Sequence, residues 1–445
     1  MADLSIDMCG IRSPNPFWLA SGPPANSGEQ VMRAFDAGWG GAVWKTLGEP
    51  IVNVSSRLGS IDYAGSRMVG LNNIELITDR PLEVNFKEIY EVKKRYPNHA
   101  VIVSLMVESK EDWRDIIMRS EDAGADGLEL NFGCPHGMCE RGMGSSVGQE
   151  PAVLEEITAW AKEFANTPVL IKLTPNVGDI LDPGLAAVAG GADGLSLINT
   201  IKSLIGVDLD TLAILPSVRA ESTNGGYCGP AVKPIALHMV GALARDSRIP
   251  IPISGIGGIS DWRDAAEFLA LGSTSLQVCT AVMHYGYRIV EDMIDGLNNY
   301  LDEKGMASVN DLIGKALPGF VEWGELDLNY QVVAKIDADT CIGCQLCYVA
   351  CLDGAHQCIH THQGPCAAFH GESDHGMNPR LEVPPPVRHN GNALLAMVPT
   401  VDEDECIGCN LCALVCPVPD CITMEERPGA PGRESWNQRV ARGLA

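Results

Sequence analysis

At 445 residues the chain is long enough for a large barrel and a small second domain. Its hydrophobic content of 46% and charged content of 20% are those of a globular protein and argue against a disordered or fibrous chain. The formal net charge of −25 argues against nucleic acid as a partner, because such a surface repels phosphate; it suits a solvated acidic surface or docking to a basic protein.

The N-terminus, Met1-Ala2-Asp3-Leu4, shows no basic segment followed by an apolar core, so no secretory signal is expected. From there to about residue 300, short β-rich runs alternate with amphipathic stretches. Eight strands are expected, at residues 17–21, 42–46, 101–106, 127–131, 169–173, 194–198, 251–254 and 275–278. Most are near-continuous apolar runs, as strands covered on both faces require. Residues 110–123 and 151–165 are among the helices between them.

One turn is repeated. Ala123-Gly124-Ala125-Asp126-Gly127 precedes one strand and Gly190-Gly191-Ala192-Asp193-Gly194 another, with Asp36-Ala37-Gly38-Trp39-Gly40 as a looser copy. Each reads as a helix C-cap and tight turn with Gly in the left-handed conformation. Eight such βα units predict a (β/α)₈ TIM barrel, whose chemistry sits at the C-terminal strand ends. Those ends carry Ser21, Lys45-Thr46, Asn131, Lys172, Asn199-Thr200, Ser254-Gly255 and Cys279-Thr280. Any one of them could be a satisfied core polar group; together on one rim they favour a ligand site.

Toward the end of the barrel, Ile253-Ser254-Gly255-Ile256-Gly257-Gly258 and Gln277-Val278-Cys279-Thr280 close the seventh and eighth strands. Gly-rich turns there present backbone N–H groups to a phosphate. The uncharged stretch from Phe268 to Tyr287 holds Ser273, Thr274, Ser275, Gln277, Thr280 and His284, too polar to cross a membrane.

Residues 301–335 read as a connector and 336–425 as a cysteine-rich domain, with a mobile tail at 426–445. Eight of the 16 cysteines fall in two clusters. Cys341-x₂-Cys344-x₂-Cys347-x₃-Cys351 and Cys406-x₂-Cys409-x₂-Cys412-x₃-Cys416 have the bacterial ferredoxin spacing, in which three thiolates hold one [4Fe–4S] cluster and the fourth reaches to the other. Zinc is the competing reading, but zinc knots rarely group four cysteines so tightly, twice. Clustered thiols in a chain without a signal point to a reducing, cytoplasmic compartment. Residues 352–405 form a His-rich insertion between the motifs, where Cys358, His360, His362 and Cys366 are a further candidate metal group beside the plainer reading of a solvated loop. No Gly-x-Gly-x-x-Gly opens a βαβ unit, so no dinucleotide-binding domain is expected.

The fourth strand runs into Asn131-Phe132-Gly133-Cys134-Pro135-His136-Gly137-Met138. With Leu19-Ala20-Ser21, Trp44-Lys45-Thr46, Asn73-Ile74-Glu75-Leu76-Ile77, Lys172-Leu173-Thr174-Pro175-Asn176, Ile198-Asn199-Thr200 and Val232-Lys233-Pro234-Ile235-Ala236-Leu237, this stretch resembles the dihydropyrimidine dehydrogenases over nearly the whole chain. The likeness is to the FMN and iron–sulfur subunit of the bacterial NAD-dependent enzyme and to the matching C-terminal portion of the single-chain enzyme. It implies reduction of uracil and thymine to 5,6-dihydropyrimidines, with Cys134 as the general acid at C5 and reduced FMN giving hydride to C6. It implies pyrimidine contacts at Asn73, Glu75, Asn131, Gly133, Asn199 and Thr200, and FMN contacts at Ser21, Lys45, Thr46, Lys172, Gly229, Gly257, Gly258, Cys279 and Thr280. It also implies a partner subunit carrying FAD and the NAD(P)H site, in a hetero-oligomer such as a heterotetramer. Position 133 departs from the single-chain enzymes, which carry Ser there, and Cys139 stands where Gly is expected.

Three other readings compete. A dihydroorotate dehydrogenase shares barrel, FMN and loop cysteine, but needs a cation for the orotate carboxylate and ordinarily lacks a double-cluster domain. A tRNA-dihydrouridine synthase shares the Asn-x-Gly-Cys-Pro string but is disfavoured by the acidic charge. A non-catalytic iron–sulfur electron carrier would have no use for the intact Cys134 loop.

Overall fold

A computed structural model of the chain describes residues 1–48, 58–135, 142–327, 330–364, 396–427 and 434–444. Two compact units divide it, Met1–Phe320 and Val321–Ala445.

The first unit is a closed barrel of eight parallel strands. In chain order they are β1 (Phe17–Leu19), β2 (Gly41–Leu47), β3 (Ala100–Leu105), β4 (Gly127–Asn131), β5 (Val169–Lys172), β6 (Gly194–Leu197), β7 (Ile253–Ile256) and β8 (Ser273–Val278). Each pairs with its neighbour in sequence, and β8 returns to β1 with Gln277 opposite Trp18. β2 and β3 are buried at every residue, as the apolar runs require. The first strand stops at Leu19, short of 21, the eighth starts at Ser273, ahead of 275, and the seventh runs over Ile253–Ile256, two residues later than 251–254. Pro250 and Pro252 have no N–H to give a ladder, so pairing starts beyond them.

The repeated turn has a specific job. Gly124 and Gly191 take φ of 92° and 87°, which a side chain would resist. The aspartate that follows then turns back: Asp126 Oδ2 accepts from the Val101 N–H (2.8 Å) and Lys93 Nζ (2.7 Å), and Asp193 Oδ2 from the Val169 N–H (2.8 Å) and Lys162 Nζ (2.6 Å). In both copies the carboxylate ties the start of the preceding strand to the helix that leads into that strand, Leu82–Arg95 or Pro151–Phe164. Helix starts are equally explicit: Ser109 and Asp261 close capping boxes on Lys110–Asp122 and Trp262–Ala270.

An N-terminal hairpin, Ile6–Met8 with Ile11–Ser13, buries Met8 and Ile11 against the opening residues of β6 and β4, Gly194 and Gly127. At the opposite rim lies a four-stranded antiparallel sheet in the order Ile201–Ser203, Gly225–Cys228, Ser66–Asn73, Leu58–Tyr63. Residues 301–320 belong to the barrel unit, with Leu301, Val309 and Leu312 in its core.

In the second unit, Val332–Ile336 pairs with Ile422–Glu426 and Ile359–Gly364 with Ala396–Val401, both antiparallel. Helices Leu346–Leu352 and Leu411–Leu414 begin two residues after the second cysteine of each motif and carry the third, Cys347 and Cys412, in their first turn. The core between these elements is made largely of thiols, with Ala334, Ile359, Val398 and Ile422 around them. Among the described residues no helix is long and apolar enough to cross a membrane.

Candidate active site

A cleft opens at the C-terminal ends of the barrel strands, with ≈ 1130 Å³ of space when the solvent at its mouth is counted. Its floor is polar although it lies inside the barrel. Glu129, on β4, is fully buried; its Oε2 accepts from Ser196 Oγ on β6 (2.8 Å) and Gln277 Nε2 on β8 (2.9 Å), and Lys172 Nζ on β5 stands 3.3 Å from its Oε1. Gln277 Nε2 also reaches Ser254 Oγ (3.2 Å), which accepts from Ser275 Oγ (2.8 Å). Ser254 and Gly255 therefore sit below the cavity and do not line it, a correction to the rim expected from sequence that follows from the later start of β7; Ile256, Gly257 and Gly258 take that place.

The wall is a chain of amides and hydroxyls. Thr46 Oγ1 accepts from Asn131 Nδ2 (3.0 Å) and bonds to Ser21 Oγ (3.1 Å) and Ser104 Oγ (3.0 Å). Asn131 Oδ1 accepts from Asn199 Nδ2 (2.8 Å), and Asn199 Oδ1 from the Thr200 N–H (2.8 Å). Asn73 ends a strand of the rim sheet and donates through Nδ2 to Gly226 O (3.2 Å). Lys45, on β2, forms a buried ion pair with Glu75. All of these except Ser104 and Gly226 line the cavity, together with Gly229 and Thr280.

Gly133 does not line the cavity but borders it through Asn199. A Cβ at that position would lie 2.4 Å from Asn199 Cβ, so a Ser there must push the amide aside. This is the physical counterpart of the Gly-for-Ser departure noted in the sequence. Cys134 faces the cavity three residues after β4. It is 6% exposed, packs with Ile77, Met106 and Met143, and its carbonyl accepts the Ser145 N–H (2.9 Å). His136, Gly137, Met138 and Cys139 lie outside the described residues.

Cys228 and Cys279 also line the cavity. Burial pushes the Cys279 thiol up to about 12, against the opposing pull of Lys172 and Lys45, and burial raises Cys228 as well. Both are neutral thiols at pH 7 and pack rather than react. Gly257 and Gly258 hold φ of 127° and 79°, and a Cβ at Gly257 would lie 2.8 Å from Ala236 Cβ, so the turn exposes backbone instead of side chains.

These features fit a flavin mononucleotide. The glycine turn suits a phosphate, the lysines suit an electron-rich ring edge, and Gln277 Oε1 is buried without a partner, an acceptor that a ring N–H would satisfy. Sequence reading missed Glu129, Tyr227 and Cys228. Glu129 had a signal, a carboxylate in the middle of an otherwise apolar buried strand; Cys228 had none beyond standing next to Gly229.

The motif cysteines gather in two small cavities, with ≈ 350 and ≈ 310 Å³ of space when adjoining solvent is counted. Cys406, Cys409 and Cys412 line the first with Cys351 from the other motif; Cys341, Cys344 and Cys347 line the second with Cys416. Burial pushes Cys347 up to about 12 and Cys412 to about 11, so thiolates here require a strongly cationic occupant, as an iron–sulfur cluster is. Cys358 and Cys421 line the same two cavities. His360 lies with Asp402 and Glu405 instead, and Cys366 falls outside the described residues.

A barrel with a flavin-sized polar cavity at its catalytic rim, joined to a unit with two thiol-lined cavities, is an iron–sulfur flavoprotein oxidoreductase. The chain belongs to the dihydroorotate dehydrogenase family, whose profile matches residues 3–301, and a 4Fe-4S binding domain profile matches residues 399–419. It is 44% identical over 359 residues, 80% of this chain and 87% of the other, to the NAD-dependent dihydropyrimidine dehydrogenase subunit PreA of Escherichia coli strain K12. It is 41% identical over 337 residues, 73% of this chain and 79% of the other, to the chloroplastic dihydropyrimidine dehydrogenase (NADP(+)) of Arabidopsis thaliana. A solved dihydroorotate dehydrogenase from Eimeria tenella, in complex with ferulenol, shares the fold at 20% identity, with a TM-score of 0.58 over 70% of this chain and 88% of that one.

Proposed function

We propose that the chain reduces the 5,6-double bond of uracil and thymine at bound FMN, with electrons arriving from NAD(P)H through a FAD-carrying partner subunit and two [4Fe–4S] clusters. One observation carries the substrate assignment. The cations among the described lining residues are Lys45 and Lys172, and each is already matched by a buried carboxylate, Glu75 and Glu129. What remains facing the cavity is neutral: the amides of Asn73, Asn131 and Asn199 and the hydroxyl of Thr200. Amides pair with the alternating C=O and N–H groups of an uncharged pyrimidine edge. Orotate, the substrate class that the family name suggests, would bring a carboxylate with no unmatched cation among the described lining residues to receive it.

FMN, which Lys45, Lys172, Gly257, Gly258 and Thr280 would hold, would supply the hydride for C6 of the ring when bound and reduced. The chain's own part is to hold the ring by its amides and to deliver a proton from Cys134 Sγ to C5, after which the thiolate regains a proton from solvent. Lys172, fixed in place by Glu129, would keep N–H groups to donate to the edge of the flavin ring. The partner subunit is supported by the Escherichia coli relative, which is named as a subunit, and by the lack of a Gly-x-Gly-x-x-Gly dinucleotide motif in this sequence. The grouping of eight cysteines in two ferredoxin-spaced motifs supports a cytoplasmic setting.

The test is anaerobic purification, cofactor analysis and product identification with an artificial low-potential electron donor. We expect FMN, about eight iron and eight sulfide per chain, and 5,6-dihydrouracil from uracil. Stoichiometric zinc without acid-labile sulfide, or reduction of orotate in preference to uracil, would overturn the assignment.

A further inference from the structure

Each cluster cavity holds one thiol more than a cluster needs. Beside Cys406, Cys409, Cys412 and Cys351 stands Cys358; beside Cys341, Cys344, Cys347 and Cys416 stands Cys421. Cys358 is only 4% exposed. Its Sγ lies 3.5 Å from Cys351 Sγ, and its thiol also meets that of Cys406.

The backbone fixes this contact. Cys351 sits in the last turn of Leu346–Leu352, and its carbonyl accepts from the N–H groups of Ala355 and Gln357 (both 3.1 Å), folding the following loop back over the helix end. Cys358 opens the strand Ile359–Gly364, with its carbonyl accepting the Asp402 N–H at 2.7 Å. A buried cysteine is often no more than a small apolar residue. That account does not explain why its sulfur faces the fourth ligand's sulfur inside a cavity otherwise shaped by ligands.

We propose that Cys358 is a reserve ligand, able to take the place of Cys351 on the cluster held by Cys406, Cys409 and Cys412. A metal–thiolate bond is about 2.3 Å long, so two sulfurs 3.5 Å apart can both reach one iron position without backbone movement. In the exchange the Cys351 Sγ–iron bond breaks and the Cys358 Sγ–iron bond forms. The Cys358 thiol proton passes to the departing Cys351 sulfur, and no electron is transferred. The second thiol holds the fourth iron when the first lets go.

The test uses the full chain, purified anaerobically, as wild type, Cys351→Ala, Cys358→Ala and the double variant. Iron and sulfide are assayed, and electron paramagnetic resonance detects [3Fe–4S] clusters. Cys351→Ala and Cys358→Ala should each keep about eight iron per chain, while the double variant loses about one and shows the [3Fe–4S] signal. If Cys351→Ala alone loses that iron as the double variant does, Cys358 is a packing residue and the proposal fails. Should Cys351→Ala yield no folded protein, graded ferricyanide oxidation decides between wild type and Cys358→Ala. The variant should form several-fold more [3Fe–4S] cluster, and equal yields would overturn the reserve role.

Discussion

Cys134 is the residue on which the proposed chemistry turns, and its surroundings are compatible with removing the thiol. Its backbone is held through Ser145 and its side chain packs in a cluster with Ile77, Met106 and Met143. Cys134→Ala is therefore expected to retain flavin, iron and pyrimidine binding while single-turnover oxidation of reduced flavin by uracil slows by roughly 10²–10⁴-fold, the usual share of a positioned general acid. Cys134→Ser should keep part of the rate, and Cys139→Ala should be mild by comparison. Full speed in Cys134→Ala with a dead Cys139→Ala would place the acid at the other cysteine. Gly133 gives a second prediction at this scale. Gly133→Ser must displace Asn199, which also bonds to Asn131, so the KM for uracil should rise by about tenfold, for a packing cost of about 1–3 kcal/mol. An unchanged KM would mean that Asn199 does not touch substrate.

At the scale of elements, the barrel interior explains why some site residues were legible in the sequence and others were not. Asn131 and Lys172 end apolar strands and stand directly opposite each other in the β4–β5 register, so strand pattern alone placed them on one rim. Glu129 lies two residues earlier and makes its contacts to residues 172, 196 and 277, which only barrel closure brings together. Asn73 was legible by resemblance alone, because it rides on a rim strand outside the eightfold repeat. The repeated Gly-Ala-Asp turn was visible as a pattern, but the carboxylate's hold on the preceding strand needed the structure. Glu129→Gln tests the buried pair. It keeps the shape but leaves the Lys172 ammonium without its counter-charge, a loss of about 3–5 kcal/mol. A lowered Tm and weaker retention of FMN are expected, measured by thermal unfolding and by flavin content after gel filtration. A variant as stable as wild type would show that the pair contributes nothing net.

For the whole molecule, the two units divide the labour: the barrel unit carries the cavity for flavin and pyrimidine, and the second unit carries the thiol cavities. Neither contains a fingerprint for a dinucleotide, so NADH or NADPH alone should reduce the bound flavin at no useful rate. Adding a FAD-containing, NAD(P)H-binding subunit should restore uracil reduction. Rapid reduction of the isolated chain by NADH would contradict the two-subunit account. The cysteine spacing made the second unit readable as an electron-transfer module, including the exchange of the fourth ligand between cavities. It could not show that Cys358 and Cys421 join them, because the six and four residues of chain between them and the preceding cysteine ligands leave the direction of a side chain open.

The central claim is that a cavity whose cations are already matched selects an uncharged pyrimidine. It is tested most directly by reducing the purified chain anaerobically, mixing it rapidly with uracil or with orotate, and following flavin oxidation in a single turnover without any partner subunit. The account predicts prompt oxidation by uracil with 5,6-dihydrouracil as product, and little or none by orotate. Oxidation by orotate at a rate equal to or above that by uracil would contradict it.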